Sequence, residues 1–214
     1  RGVPEYPNSA VAIDYYLNDT NEEVQLDIIN EEGRIVKSFT SGKPAPVENL
    51  EVDMATGFSM PPPSSGLSKD KGLNRFSWNM RSAGGWDANP RRSYQGFGPM
   101  VSTGEFTVKL KVGDKVSTEK FTLSLDPRAT LVTDADVKEQ ERVALLLQDF
   151  STDVDRLLIS VTEARKALDN SLNKERISKK DQKKKDALDG LYYRIVTPPG
   201  TYMQGMLQSQ LGYL

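Results

Sequence analysis

Carboxylates are the acid–base groups this sequence has to work with. It contains neither cysteine nor histidine. That removes thiolate nucleophiles, disulfides, Ser–His–Asp triads, imidazole metal sites and histidine proton shuttles. A glycosidase pair needs two carboxyl groups roughly 5–9.5 Å apart in a cleft. Asp87 with Asp53 or Glu51 is conceivable, but nothing in the spacing singles the three out, so no catalytic residue is assigned. Asp126, Asp134 and Asp136 form an oxygen-rich group of the kind Ca²⁺ accepts, yet without EF-hand spacing. Pairing with a helix N-terminus is the expected use of the last two, and neither a metal nor a cofactor is expected.

The most suggestive cluster is aromatic. Trp86, Tyr94 and Phe97 lie between Gly84-Gly85 and Gly98-Pro99, together with Asp87, Arg91 and Arg92. Aromatic faces stack on sugar rings, and Asp and Arg bond hydroxyl groups, so residues 84–97 can form a binding loop. The bland alternative is that these rings pack the loop onto the fold. Trp78 lies on an alternating segment and is expected to be core.

Charge says little about partners. Twenty-eight basic and thirty acidic residues give a net charge of −2. No global field favours nucleic acid. The lysines at 179, 180, 183, 184 and 185 read as a solvated helix face. No apolar run is long enough to span a membrane. The chain opens Arg-Gly-Val-Pro, as though cut from something longer.

The elements that position these residues fall into two halves. Residues 1–130 alternate with period two, and the composition shifts near Asp126-Pro127-Arg128. Val11, Ile13 and Tyr15 share one face. A hairpin is expected over 23–30 and 34–40, turning at Glu31-Glu32-Gly33. A second joins Phe106, Val108, Leu110 and Val112 to Val116, Phe121, Leu123 and Leu125 through Gly113-Asp114. Between them, residues 73–80 form a strand offering Leu73, Phe76, Trp78 and Met80 to a core. At least six short strands with turns between them indicate an antiparallel sandwich of Ig-like type.

Residues 131–214 read as an antiparallel helical hairpin with a short C-terminal helix. Val143, Leu147, Phe150, Val154, Leu157, Val161, Ala164 and Leu168 follow alternating steps of four and three, a heptad seam of about 38 Å. Leu146 and Leu158 widen it. A second helix starts near Ser178, stops before Pro198-Pro199-Gly200, and offers Ala187, Leu188, Leu191, Tyr192 and Ile195. The expected partner of the seam is internal rather than a second chain.

Two segments carry a family resemblance. Gly72-Leu73-Asn74-Arg75-Phe76-Ser77-Trp78-Asn79-Met80-Arg81 resembles a strand motif, and residues 98–108 a second motif, of the C-terminal region of bacterial BNR/Asp-box, sortilin- or VPS10-like β-propeller proteins, often labelled glycosyl hydrolases. The opening hairpin is similar to the Ig-like fold of the flagellar hook-capping protein. Thr197-Pro198-Pro199-Gly200 and Gln208-Ser209-Gln210-Leu211 fit the helical tail. The resemblance implies an exported protein and a non-catalytic accessory module that rests on the propeller of its parent chain. No Asp box, S-x-D-x-G-x-x-W, occurs here, so the hydrolase label transfers to no residue of this chain. The alternative is a carbohydrate-binding module using residues 84–97, with Trp86, Asp87, Arg91, Arg92, Tyr94 and Phe97 as its contacts. A catalytic glycosidase domain is the third reading.

Overall fold

The computed structural model describes residues 10–18, 21–43, 64–86, 97–171, 177–196, 206, 207 and 211. Among the described residues nine strands precede two helices: β1 (Val11–Leu17), β2 (Val24–Asn30), β3 (Ile35–Thr40), β4 (Ser64–Ser65), β5 (Gly72–Trp78), β6 (Arg81–Ala83), β7 (Phe97–Met100), β8 (Gly104–Val112), β9 (Lys115–Leu123), α1 (Asp134–Ser171) and α2 (Lys179–Ile195). By internal contacts the chain forms two units. The first holds residues 1–84 and 90–144, the second residues 85–89 and 145–214.

Sheets that are antiparallel throughout, except where the short β4 joins β3 in parallel, build the first unit as a sandwich. The larger sheet runs β4-β3-β2-β8-β9, and a second sheet pairs β1 with β5. Both expected hairpins form. β2 turns into β3 through Gly33, whose φ of +78° suits a residue without Cβ, and Asn30 Oδ1 accepts from the Arg34 amide at 2.9 Å. Ladder registers join Val24 to Val112 and Asn30 to Phe106, so β2 is the middle of the sheet and hydrogen bonds on both edges.

Alternation along β2 sends Val24, Leu26 and Ile28 inward, where they are fully buried. They meet an aromatic cluster. Trp78 packs edge-on against Phe106 and Phe121, with centroids 5.9 and 6.2 Å away, and Phe39 lies 4.5 Å from Phe76. The Trp78 indole N–H donates to the Arg81 carbonyl at 3.0 Å, so the buried ring keeps no unmet donor.

Two residues of the expected apolar alternation lie outside the core: Val116 of β9 is exposed, and on β5 a core position is misplaced. Leu73 is 73% exposed, and Asn74 is buried instead. Strand parity explains it: Asn74, Phe76 and Trp78 share a face, whereas Leu73 lies opposite. Asn74 Nδ2 is satisfied by the Asp70 and Gly72 carbonyls at 2.8 and 3.1 Å. Met80 does pack on the core, from a left-handed backbone at φ +56°, and its carbonyl accepts from the Val101 amide.

In the second unit α1 and α2 run antiparallel. Arg165 binds Asp189, and Lys185 binds Asp169, each at 2.6 Å. The Arg165 guanidinium also lies 4.1 Å from the Tyr192 ring centroid. α2 begins at Ser178, whose hydroxyl accepts from the Asp181 amide, and closes with the Val196 amide on the Tyr192 carbonyl. Leu147, Val154, Val161 and Leu168 of α1 are buried or half-buried, and on α2 the same holds for Leu188, Tyr192 and Ile195. Ala187 and Leu191 stay exposed, contrary to expectation: the buried face of α2 follows the 188–192–195 spacing, and Ala187 borders the open groove between the two helices. Of the expected terminal helix, Met206, Leu207 and Leu211 are described.

Candidate functional site

The aromatic loop springs from the β6–β7 hairpin, which the first unit builds with little freedom. Gly98 lies so close to β6 that an added Cβ would come within 2.1 Å of the Ala83 carbonyl oxygen. A bulge between Arg81 and Ala83 makes this approach. Arg81 Nη1 donates to the Gly98 carbonyl, and the Ser82 hydroxyl to the Pro99 carbonyl, both at 3.2 Å.

Phe97 opens β7 and is 76% exposed. Beside it lies a group the sequence reading passed over. Lys37, in β3, is only 5% exposed, and its Nζ lies 5.5 Å from the Phe97 centroid and 5.8 Å from the Phe39 centroid. An ammonium near two ring faces gains from their quadrupoles. No ion pair involves it among the described residues, and burial lowers its pKa from the ordinary lysine value. The signal was present in the alternation Ile35-x-Lys37-x-Phe39, which places the lysine on the same face as the two apolar residues.

Trp86 belongs to the second unit, as Phe97 does not. It is half-buried, with the Arg156 guanidinium of α1 5.4 Å from its ring. Gly85 beside it approaches α1 closely enough that a Cβ would lie 3.0 Å from Gln148 Cγ and 3.2 Å from the Thr152 hydroxyl. Asp87, Arg91, Arg92 and Tyr94 lie outside the described residues, as do Asp53 and Glu51.

The remaining carboxylates have local tasks. Asp134 accepts from the Thr103 hydroxyl at 2.6 Å. Asp136 accepts from the Thr133 amide and hydroxyl at 2.8 and 2.7 Å, which makes it the returning half of an N-terminal cap on α1. Asp126 is held by Arg128 at 2.6 Å. These bonds lower the pKa of Asp126 and of Asp136, through Arg128 and Thr133 respectively. Inside the larger sheet Asp27 is buried and accepts from Ser38 and Gln25 at 2.6 and 2.9 Å. Such a satisfied carboxylate is a structural acceptor rather than a free base. Four of the five clustered lysines are exposed, and Lys185 is tied to Asp169. An open groove of about 550 Å³ separates α1 from α2, lined by Ala164, Ala167, Leu168, Lys184, Ala187 and Leu188, among others.

No family model and no curated protein matches the chain. Among solved structures it is similar to an extracellular fragment of EsaA from Streptococcus gallolyticus, at 12% identity and a TM-score of 0.20. That alignment covers 97% of this chain and 38% of the other. A likeness at this score carries no argument about fold or role. No helix among the described residues is long and apolar enough to cross a membrane.

Proposed function

We propose that this chain is a non-catalytic interaction module, an accessory part of a larger exported protein of the propeller type its strand motifs resemble. Its contact is centred on the β6–β7 hairpin and the loop it carries. The observation that supports this reading is Phe97: a large ring left 76% exposed at the base of a rigid hairpin, with a buried ammonium at its side. Exposed, pre-positioned aromatics are favoured anchors in interfaces because they bury much area at little cost in rotamer freedom.

The test is binding of the full chain to a propeller domain carrying Asp boxes and, in parallel, to a panel of glycans. Phe97→Ala is expected to weaken the propeller contact tenfold or more while the melting temperature stays within a few degrees. Capture of a glycan with no propeller contact would replace this reading with the carbohydrate-binding one. Turnover of any glycoside, abolished by changing a single carboxylate, would overturn both.

A further inference from the structure

We infer that Lys37 and Phe97 form the receptor for a carboxylate of the protein partner, one carried beside an apolar group, with Arg81 as a second cation. The inference rests on the interaction reading above and names the chemistry that its contact takes. All three residues belong to the first unit. β3 carries Lys37, and β6, which packs against β3, carries Arg81. The ammonium lies 5.5 Å from the Phe97 ring centroid. Arg81 Nη1 donates to the carbonyl of Gly98, the residue after Phe97, at 3.2 Å. Two cations thus stand at the base of one hairpin.

Neither cation has a counter-ion among the described residues. Acids are not scarce, since the chain holds thirty against twenty-eight bases. Strand parity keeps the adjacent one away. Ile28 stands opposite Lys37 in the β2–β3 ladder, so Asp27 points to the other face of the sheet, where Ser38 and Gln25 occupy it. Lys37 is only 5% exposed, yet among the described residues no buried side-chain nitrogen or oxygen lacks a hydrogen-bond partner. Lys37 makes no such bond there, so Nζ is the part of the residue that still meets solvent. A charge held in a narrow opening beside two rings is poorly hydrated, and an incoming anion supplies what water does not. The opening suits a carboxylate better than a phosphate. It is built from strands, without the helix N-terminus that cradles phosphate groups. A carboxylate brings a single charge and an apolar stem, and the stem has the open face of Phe97 to lie on.

Benzoate is the probe, with benzamide as its uncharged isostere and phenyl phosphate as the competing anion. Each is titrated into the full chain and followed by NMR at the Lys37 ε-methylene and the Phe97 ring. Benzoate should shift both signals saturably and bind at least tenfold more tightly than benzamide. Lys37→Met, its folding checked by thermal melting, should abolish the response at Phe97, and Arg81→Gln should weaken binding several-fold. An equal response to benzamide, no saturable response to benzoate, or tighter binding of phenyl phosphate overturns the inference. The propeller-domain assay separates that failure from failure of the interaction reading. Where Phe97→Ala weakens the propeller contact, Lys37→Met should weaken it tenfold or more and flatten its salt dependence. A Lys37→Met chain that binds the propeller like the parent overturns the carboxylate receptor alone. A Phe97→Ala chain that does so overturns the interaction reading alone, and the benzoate titration still decides the receptor. Capture of a uronic-acid glycan with no protein contact overturns the assignment to a protein partner.

Discussion

A lysine set between two phenylalanine rings on the inward face of a sheet is an unusual choice, and Lys37 makes its cost measurable. Its pKa is lowered by burial, so between that value and about 10.4 the unfolded chain holds more protons than the folded one. Stability therefore rises with pH across that window, and the cost of the buried charge is complete below it. Lys37→Met, which keeps the length of the side chain and removes the charge, should raise stability at neutral pH by about 1 kcal/mol. Urea titrations of both proteins should show the gap closing as pH climbs past the folded pKa, and a constant gap would contradict the account. Leu73 and Asn74 give the complementary case. Leu73→Thr should be almost neutral, whereas Asn74→Ala should cost about 1–3 kcal/mol because two turn carbonyls lose their donor. Hydrophobicity named Leu73, but parity with Trp78 names Asn74, and parity was readable in the same eight residues. What the sequence could not disclose was that a polar side chain on the inward face would find partners in the turn just before it.

Elements were more legible than sites. Both long hairpins, the caps of α1 and α2 and the antiparallel helix pair follow from patterns with known causes: alternation, a glycine turn, a Ser or Thr three residues ahead of an acid. The β6–β7 hairpin was missed, since a three-residue strand beside a bulge has too few residues to show a period. Its dependence on Gly98 is the test. Gly98→Ala drives a methyl into backbone that cannot yield, and a loss of about 2–4 kcal/mol is expected by thermal or chemical unfolding. The helix pair depends on Arg165, which joins Asp189 and lies over Tyr192. Arg165→Lys keeps the charge but loses the planar face, and it should cost about 1 kcal/mol and lower the protection of α2 amides from hydrogen exchange. Of the aromatic loop, composition indicated the rings but not their separate duties. Trp86 lies against Arg156 in one unit and Phe97 lies open in the other, so Trp86→Ala should lower the stability of the second unit more than it lowers binding.

Across the whole molecule, acid is the condition under which many small contacts fail together. Asp14, Glu32, Asp126, Asp136 and Glu139 all have lowered pKa values, each chiefly through a hydrogen bond from Arg75, Arg34, Arg128, Thr133 and Arg142 in turn. Their contribution is complete above the ordinary carboxylate range near pH 4 and is lost as pH falls through the depressed folded values. Unfolding midpoints should drop between about pH 4 and pH 2, and added salt should blunt the drop because these pairs are exposed. A second global consequence lies in the order of the larger sheet. β2 sits at its centre, yet one of its two neighbours, β8, arrives far later in the chain, with Val24 waiting for Val112. A ribosome adding about 5–20 residues per second leaves that gap open for roughly 4–18 s. For that interval Leu26 and Ile28 belong to a half-built sheet with one naked edge. Whatever meets the nascent chain during those seconds, a chaperone or another unfinished copy, competes with β8 for the same row of amides.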